Sequence, residues 1–227
     1  MSLYFWVILL AFAGPLALSF DKKVHYYTHI KSVSFAILIV GGAFLIWDQI
    51  FTDMGVWGFN LFYVQGWYIG KLPVEEILFF VIVPYNCIFI HEVQKAYFPN
   101  IKLNNLSLVN QLLFVGLGVL LLVQGFDNHY TLSAVGVSFL LLILAHFTLQ
   151  TFINRFFFTY LIALLPFLIV NGILTGFVTP EPIVWYCSNH IVGWRIGTIP
   201  VEDLFYNFSM LFPMIWIHEK HLSMKHS

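Results

Sequence analysis

Charge is what this sequence is shortest of. Asp, Glu, Lys and Arg make up 9% of its 227 residues, against about 25% in a typical soluble domain. So few charges cannot cover the surface of a soluble protein, and a net charge of −1 gives nucleic acid nothing to bind. Cysteine is nearly absent: Cys87 and Cys187 form no CxxC, so neither a disulfide nor a thiolate metal site is expected. There is no GxGxxG and no Walker motif, so no nucleotide site is indicated. The last apolar segment has no lysine at mid-length, only Lys220 at its end, which excludes a retinal Schiff base. The histidines form no HxxHH array of the sort a membrane di-iron enzyme displays. His25 and His29 are spaced i, i+4, and with His218 and His221 they offer only a weak metal set. No metal and no cofactor are expected.

What is present is apolar. Hydrophobic residues make up 60% of the chain and the mean hydropathy is +0.86. This composition predicts an all-α, polytopic membrane protein with a single membrane domain over 1–227. A spanning helix needs about 20 mostly apolar residues. Seven segments qualify: 3–20, 33–51, 73–97, 106–124, 132–150, 155–177 and 200–219. In the first, Lys22 and Lys23 follow the apolar run rather than precede it, which reads as a retained helix and not a signal peptide. Pro84 and Pro166 fall inside the third and sixth segments, where kinks are expected. Lys22, Lys23, Lys31, Lys95, Lys102, Arg155, Lys220 and Lys225 fall on one side of the seven spans, and only Lys71 and Arg195 on the other. The positive-inside rule then places the N-terminus outside and the C-terminus in the cytoplasm of a cell inner membrane.

One string occurs twice. Gly66-Trp67-Tyr68-Ile69-Gly70-Lys71-Leu72-Pro73-Val74-Glu75-Glu76 returns as Gly193-Trp194-Arg195-Ile196-Gly197-Thr198-Ile199-Pro200-Val201-Glu202-Asp203, 127 residues on (193 − 66). The same offset carries His91-Glu92 onto His218-Glu219. Helices one to three therefore match helices five to seven, with helix four as the joint: 1–103, 104–130 and 131–227. A shift of four spans is even, so the repeat is parallel, about an axis along the membrane normal. Both acidic pairs then lie at one depth, at the outer ends of helices three and seven.

Glu75, Glu76, Glu202 and Asp203 are the leading candidates for chemistry. Carboxylates at the rim of a membrane span are costly and mark function. A lone acid in a first helical turn is commonly just stabilised by the helix dipole. Two adjacent acids, repeated at one depth, argue for a shared site. Several carboxyls in an apolar pocket cannot all ionise, so a protonated acid can face an ionised partner, a general acid and a general base. Asp48, at the same depth, is a candidate third member, with Asn171 opposite it in the second half. Trp67 and Trp194 are candidate cation–π partners, though interfacial anchoring explains such residues as well. His91, Glu92, His218 and Glu219 lie sixteen residues further along (91 − 75), about 24 Å of helix away. They cannot touch the same small ligand as the acids, and an interfacial helix end is their plainer reading.

The strings Pro73-Val74-Glu75-Glu76 and Pro200-Val201-Glu202-Asp203, each opening a membrane helix and followed by an aromatic run, resemble the Pro-x-Glu-(Glu/Asp) motif of the membrane-integral lycopene cyclases. The chain looks like the form in which the two halves, elsewhere separate subunits, are fused. The resemblance implies non-redox acid/base cyclisation of the ψ-ends of lycopene to β-ionone rings, giving γ- and then β-carotene, by an enzyme of the intramolecular lyase or isomerase type. It implies a hydrophobic carotenoid partner within the bilayer, contact with membrane lipid, and association with other copies or pathway enzymes. It carries Glu75, Glu76, Glu202 and Asp203 over as catalytic, without saying which is the acid. The competing readings are a cyclase of another linear carotenoid, such as a C50 one, and a proton- or cation-coupled membrane binding or transport protein.

Overall fold

The computed structural model describes residues 1–99 and 104–224. Lys102, Lys225 and the expected end of the first half at residue 103 lie outside the described residues. Among these, helices dominate: α1 (Leu3–Leu18), α2 (Tyr26–Asp53), α3 (Val74–Tyr97), α4 (Asn104–Gly125), α5 (His129–Thr148), α6 (Gln150–Leu174) and α7 (Glu202–Ser223). Five of them, α2 to α6, are long and apolar enough to cross a membrane. The apolar α1 has 16 residues. The 22-residue α7 has its composition diluted by Glu202, Asp203, Asn207, Ser209, His218 and Glu219. Leu112, Leu113, Val123, Leu140, Leu165 and Ile169 are all more than half exposed, as a lipid-facing surface requires.

The helix starts differ from those read off the sequence. Pro73 and Pro200 are not first helical residues. Pro73 ends strand β3 (Leu72–Pro73), which pairs with β2 (Tyr68–Ile69); Pro200 ends β6 (Ile199–Pro200), which pairs with β5 (Arg195–Ile196). Each hairpin turns on a glycine at φ +63°, Gly70 or Gly197, where a side chain would be strained. Each is tied to its helix by one bond: Val74 N–H donates to the Trp67 carbonyl at 2.9 Å, and Val201 N–H to that of Trp194 at 3.0 Å. The second helix begins at Tyr26 rather than near Val33, and its first turns are held by Tyr26 and Ser32: both are buried, and the Ser32 hydroxyl donates to the His218 carbonyl at 2.8 Å. Its π-helical turn, Ile37–Gly41, crosses α3 closely. A Cβ on Gly41 would stand 3.2 Å from the Phe80 carbonyl oxygen.

Each motif helix packs in the same way. The third helix lies against α1 and α6, the seventh against α5 and α2, and the two touch each other at the centre. At the end of the helices that carries the hairpins, the two long loops, 54–73 and 175–201, are joined. Strand β1 (Trp57–Phe59) runs antiparallel to β4 (Val184–Tyr186), pairing Trp57 with Tyr186 and Gly58 with Trp185.

Candidate active site

The first acid of each pair is a clamp. Glu75 Oε1 accepts the Ser2 hydroxyl at 2.5 Å and the Gln65 N–H at 2.7 Å. Glu202 Oε1 accepts the Thr131 hydroxyl at 2.8 Å and the Val192 N–H at 2.7 Å. Gln65 and Val192 are again 127 apart (192 − 65). Both carboxyls are fully buried, and each fixes the loop just before its own hairpin.

The second acid of each pair turns inward. Glu76 and Asp203 line one cavity of about 50 Å³ together with Asp48, so residues from both halves share a single pocket. Its walls are aromatic: Tyr4, Trp57, Phe79, Tyr130, Phe167, Tyr186 and Tyr206. Glu76 Oε2 accepts one hydrogen bond, from Tyr4 at 2.5 Å. Asp203 accepts three, from Tyr130 at 2.6 Å, Asn171 at 2.6 Å and Tyr186 at 3.0 Å. Asp48 Oδ1 accepts the Trp57 indole N–H at 2.6 Å, while its Oδ2 is buried without a hydrogen-bond partner. Also unpartnered are the Tyr206 hydroxyl and both amide atoms of Asn207, at the same cavity. Burial and the neighbouring Asp203 carboxylate push the Tyr186 phenol well above its usual pKa, so it remains a donor.

Asp48 therefore lies beside Glu76 and Asp203 at the cavity, and Asn171, its counterpart in the sequence, donates to Asp203. Trp67 is 71% exposed and Trp194 38%, and neither lines the cavity. The indole at the acids is that of Trp57, which the β1–β4 pairing draws inward. The four tyrosines were not singled out from the sequence. Tyr4 and Tyr130 each sit at the start of the first helix of a half, and that shared position is the signal that could have found them.

At the far end of α3 and α7 the two His-Glu pairs cross. His91 Nε2 lies 2.8 Å from Glu219 Oε1, and His218 Nε2 lies 3.1 Å from Glu92 Oε1. Thr159 meets His91 Nδ1 at 2.8 Å. Thr159 stands 127 after Ser32 (159 − 32), and each contacts the histidine of the other half. The Lys95 ammonium bridges Glu92 at 2.9 Å and Glu219 at 3.4 Å. His29, Glu92 and His218 bring one potential ligand atom each within 4.8 Å of one another. The Lys95 ammonium already pairs with that carboxylate, while His218 Nδ1 is buried without a hydrogen-bond partner. His25 stays apart, against the Lys22 carbonyl. These contacts tie the C-terminal end of α3 to that of α7.

A family model described as lycopene cyclase matches residues 1–94 and 127–221. No curated protein and no solved structure matches the chain.

Proposed function

The chain belongs to the lycopene cyclase family, and on that footing we propose that it is a lycopene β-cyclase whose proton-transfer groups are Glu76 and Asp203. The observation that carries this reading is one cavity lined by three buried carboxyls with unequal hydrogen-bond support. Hydrogen bonds to an anion favour it, so Asp203, with three donors, is the base. Glu76, with one, is the acid. Glu76 gives its proton to C2 of a ψ-end, leaving a cation at C1. The C5–C6 double bond attacks C1, the C1–C6 bond forms and the cation moves to C5. Asp203 then takes the proton from C6 and the C5–C6 double bond returns. Bonds are exchanged within one molecule with no net redox change, an isomerase-type reaction. The proton returns from Asp203 to Glu76 across the cavity, where the unpartnered Asp48 Oδ2 is the available relay. The rings of Trp57, Tyr130 and Tyr206 face the passing cation as cation–π partners.

The same reading includes the membrane topology. Seven spans run with the N-terminus outside, the C-terminus in the cytoplasm, and two parallel halves joined by α4. Matching hairpins, matching clamps and the crossed pairs support the repeat. The lysine and arginine distribution supports the orientation.

The test is pigment chromatography of a lycopene-accumulating bacterial host. The unaltered chain is expected to convert lycopene to γ- and β-carotene. Glu76→Gln and Asp203→Asn are expected to leave lycopene unchanged, a loss of about 10²–10⁴ in rate, at normal protein levels in the membrane. Unchanged lycopene with the native protein, or cyclisation retained by both variants, overturns the reading.

A further inference from the structure

A second cavity begins where the carboxyl pocket ends. It has a volume of about 280 Å³ and an almost wholly apolar lining from α1, α3 and α6. Phe79 and Phe167 belong to both cavities and form the partition between them. From there the second cavity follows α3 through Val83 and Cys87 to Ile90. Ile90 lies 14 residues beyond Glu76 (90 − 76), about 21 Å of helix. On the α6 side the wall includes Ile169, 59% exposed, so the groove opens toward lipid.

Among the described residues, the equivalent positions of the second motif helix carry larger side chains. At offset 127, Val83 and Cys87 correspond to Met210 and Met214, which are 1% and 0% exposed. At offset 123, Val170 of the groove wall corresponds to Trp47 (170 − 47). The Trp47 ring packs edge-on against Tyr206 at 5.2 Å and lies 5.2 Å from Phe44. Larger side chains thus occupy between α2, α5 and α7 the space that small ones leave between α6, α1 and α3.

We propose that the groove holds the acyclic polyene while one end stands among the carboxyls, and that the equivalent place beside α7, filled by Met210, Met214 and Trp47, does not serve the other end. This deepens the cyclase reading and rests on it. The hydrocarbon core of a bilayer is about 30 Å thick, and an acyclic carotenoid is long enough to cross it, so the far end remains outside the carboxyl pocket. One end is cyclised per visit. The one-ring product leaves, turns and returns before the second ring forms. Val83 and Cys87 act as specificity-determining residues, through the room they leave. Phe79 and Phe167 part to admit the end, since the carboxyl pocket as it stands holds only a few waters.

The test uses the full chain in lipid nanodiscs with labelled lycopene. Unlabelled one-ring product is added during turnover. The inference expects the label in the two-ring product to fall in proportion to the added pool. Full retention of label means that both ends react in one visit and overturns it. Val83→Met with Cys87→Met gives the first half the residues of the second, and is expected to slow cyclisation at least tenfold with an unchanged melting temperature in detergent. Undiminished turnover by this variant also overturns the groove, while leaving the cyclase reading intact. A native chain that cyclises nothing overturns both. If the double variant fails to fold, isotope dilution with the native protein decides alone.

Discussion

The two acids of each motif copy have different contacts, and substitution by glutamine tests whether they have different work. Glu75→Gln keeps an oxygen where Ser2 and Gln65 donate but removes its charge. A hydrogen bond to a charged group contributes about 1.5–3 kcal/mol, and one between neutral groups about 0.5–1.5 kcal/mol. The loss is therefore about 1 kcal/mol per bond, or about 2 kcal/mol for the clamp. A further loss of about 0.5 kcal/mol follows at the helix N-terminus, where an anion was favoured. For a chain of this length each kcal/mol moves the melting temperature by about 2–4 °C, so a fall of about 5–10 °C is expected. Glu202→Gln should behave alike, since Thr131 and Val192 donate to it in the same way. Turnover should drop only modestly at a temperature where the variant is folded, because the carboxyls of the cavity remain. Glu76→Gln should do the reverse, abolishing turnover while leaving melting nearly unchanged. The assay pairs tryptophan-fluorescence melting in detergent with cyclisation rates on the same preparations. Abolished turnover in Glu75→Gln and Glu202→Gln with native melting temperatures would refute the division, and would place the first acids among the reacting groups.

Two further outcomes follow from the same geometry. His218→Ala strips a buried partner from Glu92, and breaking a buried pair costs about 3–5 kcal/mol. A double-mutant cycle with Glu92→Ala should show a coupling energy of at least about 1 kcal/mol, and an additive cycle would mean that the crossed pairs do not hold the halves together. Orientation is read by thiol labelling of a chain whose Cys87 and Cys187 have been replaced. A cysteine at Lys71 should react with an impermeant reagent in intact cells and one at Lys22 should not, and the opposite pattern would invert the topology.

The sequence carried the helices and both acidic pairs because each rests on a local signal. Apolar length marks α2 to α6 as candidate spans, and a repeated string marks Glu75–Glu76 and Glu202–Asp203. It did not carry the split between first and second acids, because that depends on which side of a helix start faces the loop and which faces the axis. The β1–β4 pairing was equally invisible. Its strands are three residues each and lie 127 apart (184 − 57), and only the meeting of the two halves makes them strands. The consequence reached the site: the indole at the carboxyls is that of Trp57, while Trp67 and Trp194, which the motif advertised, point outward. The crossed His-Glu pairs had the right residues and offset in the sequence. What was missing was that α3 and α7 pack against each other, which brings the two pairs into reach of one another.

A strict duplication would be a poor acid/base catalyst. Two identical carboxyls related by an axis have the same environment, and neither is prepared to give a proton while the other takes one. Enzymes resolve this by pushing the two environments apart. The divergence of the two halves does so at few positions. Asp48 in one half stands opposite Asn171 in the other, so a carboxyl is added to the pocket on one side and an amide donor to Asp203 on the other. Trp57 pairs with Tyr186 across the outer strands, and only the tyrosine side supplies Asp203 with its further hydroxyl. Glu76 keeps a single tyrosine. The matching clamps and crossed pairs keep the frame alike, and on the proposed reading the differences at the pocket are what make one acid and one base out of two copies of the same motif. Val83 and Cys87 against Met210 and Met214 extend the same economy to the groove: one half keeps space for the chain and the other fills it.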